Sequence, residues 1–282
     1  MSPLRLFFLT FLALLAFAGN SVLCRLALAQ TNIDAASFTT IRLMAGAIVL
    51  WGLILRHRPP APQQGSWLAA LLLFTYAAGF SFAYLQLDTG MGALLLFGAV
   101  QLTMVGYGLL IGERFSLCQW FGFMLAVTGL IGLMLPGVTS PSIGAASLML
   151  LAGFAWGGYS ILGKRATQPL RATADNFVRA VPFSILLTVL FMPEALPEHQ
   201  GIIYAVLSGA LTSGIGYAIW YSVLPQLKAS TSSTVQLSVP LLTAVAGIVL
   251  LQELLNLRLL LAAIAILCGI ALVVLNPLRG KS

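Results

Sequence analysis

Residues 103–135 read TMVGYGLLIGERFSLCQWFGFMLAVTGLIGLML. Two long apolar runs meet at one charge pair, Glu113-Arg114. Residues 243–275 read TAVAGIVLLQELLNLRLLLAAIAILCGIALVVL, the same shape with Glu253 at the joint. Each run approaches the ~20 apolar residues that a helix needs to cross a bilayer. Neither run alternates apolar and polar residues as a barrel strand would, so helices satisfy the backbone in lipid.

Composition extends this reading to the whole chain. Its 282 residues are 60% apolar and 7% charged, with a mean hydropathy of +1.00. A soluble domain carries about 25% charged residues. Ten segments have spanning character: 4–25, 35–55, 67–87, 91–112, 117–135, 143–163, 174–192, 202–224, 229–251 and 257–276. The fold expected is all-α and integral to the membrane. Arg5 followed by LFFLTFLALL and AFA (16–18) resembles a signal peptide, but the apolar pattern runs on through NSVLCRLAL, so it reads as the first span. RHRPPAPQQGS (56–66), LPGVTSPS (135–142), KRATQPLRATAD (164–175) and PEALPEHQG (193–201) read as connections.

The net charge of +7 fits Lys- and Arg-rich cytoplasmic loops better than nucleic-acid binding. With the N-terminus inside, ten of the fourteen basic residues fall on the inner side. Both termini are then expected in the cytoplasm, and an even number of spans agrees with their sharing a side. Three scattered cysteines form neither a metal motif nor a disulfide framework, and no cofactor is expected.

Sliding the sequence by 140 positions lays Glu113 on Glu253, Thr103 on Thr243 and Gly129 on Gly269. NSVLCR (20–25) lies over YSILGK (159–164), and FTTIR (38–42) loosely over NFVR (176–179). The matches keep their order, the mark of an internal repeat. The halves expected are 1–138 and 139–282, five helices each. Five is odd, so the second half enters from the opposite side. Inverted repeats are common in secondary transporters, with substrate held near the midplane between them.

LLIGERFSLCQWFGFMLAVTGLIGLML, IVLLQELLNLRLLLAAIAILCGIALVVL and LLAFAGNSVLCRLAL together resemble the EamA branch of the drug/metabolite transporter superfamily, over nearly the whole chain. The resemblance implies ten helices in two inverted five-helix repeats and a central cavity walled by helices one, three, four, six, eight and nine. It also implies export of small metabolites, often amino acids, by a protein of the bacterial inner membrane that is a monomer or weak homodimer. Pro240 in QLSVPLL follows the family pattern, whereas AVQLTMV in helix four has no proline.

Candidate cavity residues are Asn20 and Ser21 in helix one, Arg42 in helix two, and Tyr76, Phe80 and Tyr84 along one stripe of helix three. Gln101 is in helix four, Trp156 and Tyr159 in helix six, Tyr217 and Trp220 in helix eight, and Gln236 in helix nine. Amides and rings suit a neutral or zwitterionic substrate. Each ring could instead be packing or part of an interfacial belt. Gln101 and Gln236 stand out because a buried amide needs a partner. Arg42 either meets a cavity or snorkels to the headgroups, and Arg179 is read as snorkelling. Glu113 and Glu253 are expected to be structural, each capping the following helix or pairing a neighbouring Arg, with gating as the alternative. Pro240 is grouped with them. No carboxylate sits near the centre of a span, which disfavours a cation-efflux pump, and a passive channel remains the other alternative. No nucleophile–base set or phosphate loop points to an enzyme.

Overall fold

The computed structural model describes residues 1–57, 64–112, 114–135, 141–163, 166–191, 197–227 and 235–275. It is all-helical, with ten helices: α1 Pro3–Gln30, α2 Ala35–His57, α3 Trp67–Ala83, α4 Thr89–Leu110, α5 Leu117–Met134, α6 Ile143–Gly163, α7 Pro169–Phe191, α8 His199–Gln226, α9 Ser238–Leu251 and α10 Leu257–Leu275. Eight are long and apolar enough to cross a membrane, while α3 and α9 are shorter and apolar. Leu, Ile, Val and Phe side chains cover the outside, among them Phe7, Ile48, Leu190, Val249 and Leu261. Such a coat is stable only against lipid. We call the end where α1 begins and α10 finishes the proximal end, and the other the distal end.

The most extensive helix contacts all join one half of the chain to the other. α1 lies against α8 and α9, and α6 lies against α3 and α4. α2 pairs with α7, α4 with α9, and α5 with α10. Exchanging the first five helices for the second five maps this pattern onto itself. α5 and α10 occupy equivalent places and run antiparallel, so the two repeats are inverted. Gly122 and Gly269 meet at their crossing, where a Cβ on Gly122 would come within 2.6 Å of the Gly269 carbonyl oxygen. Only the missing side chains let the two backbones approach this closely.

Helix ends are clasped across the halves as well. Asp175 of α7 accepts from the amides of Gln64 (2.7 Å) and Gly65 (3.2 Å), and Asn176 accepts from Ser66 N (2.9 Å), so α7 holds the start of α3. At the distal end Asn32 accepts from Glu198 N at the start of α8 (2.7 Å). Exposed amides at helix starts need acceptors, and here the other half of the chain supplies them.

Several sequence boundaries move, among them the start of α7, the end of α1 and the start of α9, at Ser238 and not at 229. α7 begins at Pro169, not at 174, because proline is at home in a first helical turn. Residues 169–175 are therefore not loop, and Arg171, Thr173 and Asp175 are buried. α1 runs on to Gln30, past the 25 expected. Pro240 is the third residue of α9, where no intrahelical donor is required, so it sits in the opening turn of the helix and breaks no ladder. α4 spans 22 residues against 14 for its equivalent α9.

Candidate functional site

Asn20, two-thirds along α1, is the polar hub of the interior. Its Oδ1 accepts from Ser208 Oγ (2.7 Å), Thr212 Oγ1 (3.4 Å) and Arg42 Nη1 (3.4 Å). Its Nδ2 donates to the Tyr76 hydroxyl (3.2 Å). Three helices besides α1 thus converge on one amide. Ser208 and Thr212 lie four residues apart at the start of a π-helical stretch, Ser208–Ile215, inside α8. π-helical turns re-aim side chains and recur at functional sites. The stretch is rich in small residues because α8 presses on α2, and a Cβ on Gly209 would strike the Arg42 carbonyl.

Arg42 is two turns into α2 and 2% exposed. Among the described residues no carboxylate pairs with it, since the ion pairs there are Arg25–Asp88 and Arg25–Glu253. Its guanidinium lies 5.0 Å from the Phe80 ring centroid, 5.6 Å from Tyr76 and 5.9 Å from Phe38. Cation–π contact offsets part of the desolvation that a charge suffers at this depth.

A column of rings leads from this centre toward the proximal end. Tyr76 and Trp156 are 4.7 Å apart, Trp156 stacks on Tyr159 (5.3 Å) and Tyr217 (5.6 Å), and Tyr217 stacks on Tyr221 (6.2 Å). Thr173 finishes the column, accepting from Tyr159 and donating to Tyr221, each at 3.3 Å. Tyr76 and Trp156 are half-buried, while Tyr159 and Tyr217 are buried.

The distal end is plugged. Glu253, between α9 and α10, accepts from Thr89 N at the start of α4 (2.7 Å) and from Thr89 Oγ1 (2.5 Å). Arg25 Nε approaches the same carboxylate at 4.0 Å, Arg25 Nη2 approaches Asp88 at 3.8 Å, and Arg25 Nη1 donates to the Tyr84 carbonyl (2.9 Å). Glu253 therefore caps α4 of the other half and not the helix that follows it; Asn256 caps that one, accepting from Leu259 N (2.7 Å). Glu113 lies outside the described residues.

α4 records the difference between the two ends. From Thr89 to Val100 every residue except Phe97 is buried. From Gln101 to Tyr107 every residue is partly exposed, and a Cβ on Gly106 would meet nothing within 4 Å.

The structure brings Asn20, Arg42, Tyr76, Phe80, Trp156, Tyr159 and Tyr217 into one continuous cluster. It places others elsewhere. Tyr84 is fully buried in the distal plug, its ring over Gly92 and its hydroxyl donating to the Thr89 carbonyl, with Ser21 beside it. Trp220 packs with Ala13, Val223 and Phe17 along the α1–α8 seam. Gln101 and Gln236 are partly exposed and hydrogen-bond to none of the described residues. Arg179 is half-buried with its guanidinium 5.9 Å from the Trp67 ring, at the proximal boundary. Sequence reasoning passed over Ser208, Thr212 and Thr173. The first two are hydroxyls one helical turn apart in SGALTSGIG (208–216), a spacing that puts both on one helix face.

The EamA-like transporter family model matches twice, over residues 4–135 and 143–275. The chain belongs to the EamA-like transporter family. It is a multi-pass membrane transporter of two EamA repeats, in a family of transporters and not of enzymes. Among EamA-related sequences, an uncharacterised protein of Pseudomonas aeruginosa is 53% identical over 279 residues, 99% of this chain and 97% of that one. The uncharacterised transporter YoaV of Bacillus subtilis is 22% identical over 83% of this chain and 85% of its own. An uncharacterised transporter of Archaeoglobus fulgidus is 24% identical over 86% and 88%. A solved crystal structure shares the fold with a TM-score of 0.67 at 18% identity, covering 96% of this chain and 98% of its own.

Proposed function

We propose that this EamA-family chain is a secondary carrier that exports amino acids or similar small metabolites by alternating access. The observation that carries the proposal is α4, locked along its distal half and loose along its proximal part. One helix in contact with both halves, closed at one end and open at the other, is what a carrier in one of its two states requires. The packing also supports a choice of moving parts. α3, α4 and α6 form one bundle and α1, α8 and α9 the other, so each bundle draws on both repeats. The distribution of basic residues supports a cytoplasmic proximal end, with both termini on that side. The state described is then open toward the cytoplasm and closed outside. A distal plug this complete speaks against a passive channel, and the fixed charge of Arg42 speaks against a cation-efflux pump.

Counterflow in proteoliposomes tests the reading. Vesicles are loaded with unlabelled amino acids and small metabolites, and entry of labelled ones is followed. Saturable, counter-substrate-stimulated uptake is expected for one chemical class. Flux that never saturates would mean a pore. No flux from folded protein for any compound would refute export of this class.

A further inference from the structure

We propose that Arg42 is the receptor for the carboxylate of a singly charged organic anion whose other end is aromatic or apolar. The inference rests on reading the chain as a small-metabolite carrier and narrows its substrate. A guanidinium offers five donors in a fork that matches a carboxylate. Arg42 spends one of them on Asn20 at a long 3.4 Å, and Tyr76 is its other polar neighbour. The remaining donors have no acceptor among the described residues, yet they are not among the polar atoms sealed off without a partner. The charge is held in place without being used up.

Asn20 explains the placement. Ser208 donates to its Oδ1 and its Nδ2 is occupied by Tyr76, so the amide is held in this orientation. It presents an acceptor toward Arg42 and steers the guanidinium without neutralising it. An aspartate at this position would form an ion pair and fill the site.

Charge then selects the ligand. The chain has seven acidic residues; of the described ones Asp34, Asp88, Glu198 and Glu253 lie at helix starts or connections, Asp175 is spent on the Gln64 and Gly65 amides, and none pairs with Arg42. No carboxylate among the described residues of the cluster could pair with an ammonium. A cation is repelled, a zwitterion leaves the site with a net positive charge, and a monoanion neutralises it. The body of the ligand would meet the half-buried rings of Tyr76 and Trp156, where a flat or apolar group gains contact area.

The test uses purified full-length chain and three probes of similar size: benzoate, benzamide and phenylalanine. Thermal stabilisation is measured in detergent, and counterflow of labelled benzoate and phenylalanine in proteoliposomes. Benzoate is expected to stabilise the protein and to show saturable counterflow, and benzamide to do neither. Arg42→Lys should keep part of the benzoate flux and Arg42→Gln should lose at least tenfold. Asn20→Asp covers the case in which Arg42→Gln fails to fold: it should elute as the native protein and still lose benzoate. Saturable phenylalanine flux with no response to benzoate, or benzoate flux untouched in folded Arg42→Gln or Asn20→Asp, would overturn the inference and leave the carrier reading standing. No flux for either probe, or for any compound of a wider panel, would overturn both.

Discussion

Neutralising Glu253 should open the distal end. In Glu253→Gln the side chain keeps an acceptor for Thr89 but loses its charge. Charge-assisted hydrogen bonds are worth about 1.5–3 kcal/mol and neutral ones about 0.5–1.5 kcal/mol, so the two bonds from Thr89 N and Oγ1 lose about 2 kcal/mol together. The start of α4 also loses a favourable negative charge, about 0.5 kcal/mol. Arg25, at 4.0 Å, keeps Asp88 and the Tyr84 carbonyl and adds little. The carboxylate side chain is only 11% exposed, so solvent screening removes little of this. The sum of about 2.5 kcal/mol corresponds to a shift of roughly 50-fold in the closed-to-open ratio. The chain carries its own reporter. Cys24 is fully buried next to Arg25, in the cluster that includes Phe80, Tyr84 and Met91, whereas Cys118 and Cys268 are exposed and can be replaced by Ser. Labelling of Cys24 by an impermeant maleimide added from the distal side should speed up at least tenfold in Glu253→Gln. An unchanged rate in folded protein would refute the assignment of Glu253 as the clasp that holds the two bundles together at this end.

Three further outcomes follow from the same geometry. If the ligand is a monoanion with no compensating charge, flux is electrogenic, and a 100 mV potential set with potassium and valinomycin should change the equilibrium gradient about 50-fold; an electroneutral gradient would contradict it. Gly122→Ala forces α5 and α10 apart against backbone, so thermal unfolding should show a loss of about 1–3 kcal/mol, with the surviving folded fraction still competent in counterflow. Asp175→Ala strips the acceptor from two amides at the start of α3 and should cost about 1–3 kcal/mol in the same assay, with Asp175→Asn recovering part of it.

The spans were legible because lipid leaves a chain few options: runs of about 20 apolar residues with polar joints can only be helices. The α7 start was misread for a reason of the same kind. RATAD looks like a solvated loop when polarity is taken to mean exposure, but Asp175 and Asn176 are polar because they serve the amides of α3 from more than a hundred residues away. Arg42 could be singled out as a costly charge, but whether it faced lipid or the interior depended on where α1, α3 and α8 come to lie. Tyr84 shows the limit of stripes. It continues the line of Tyr76 and Phe80, yet it is the C-cap residue of α3, where the chain turns and the ring falls onto Gly92.

The doubled Glu takes its meaning from the crossed packing. In a protein whose repeats packed as separate lobes, a carboxylate at the α9–α10 joint would hold the helix next to it. Here the α1, α8 and α9 bundle meets the α3, α4 and α6 bundle through α4, which packs on α9 and α1, and Glu253 reaches across to the first turn of α4. A clasp between bundles serves a carrier because it can be made and broken at one end without unfolding any helix. The absence of a carboxylate from the centre among the described residues fits the same economy. With Arg42 uncompensated, an anion moving outward would be driven by a membrane potential that is negative inside, and no proton-binding acid at the midplane would be needed to power the step.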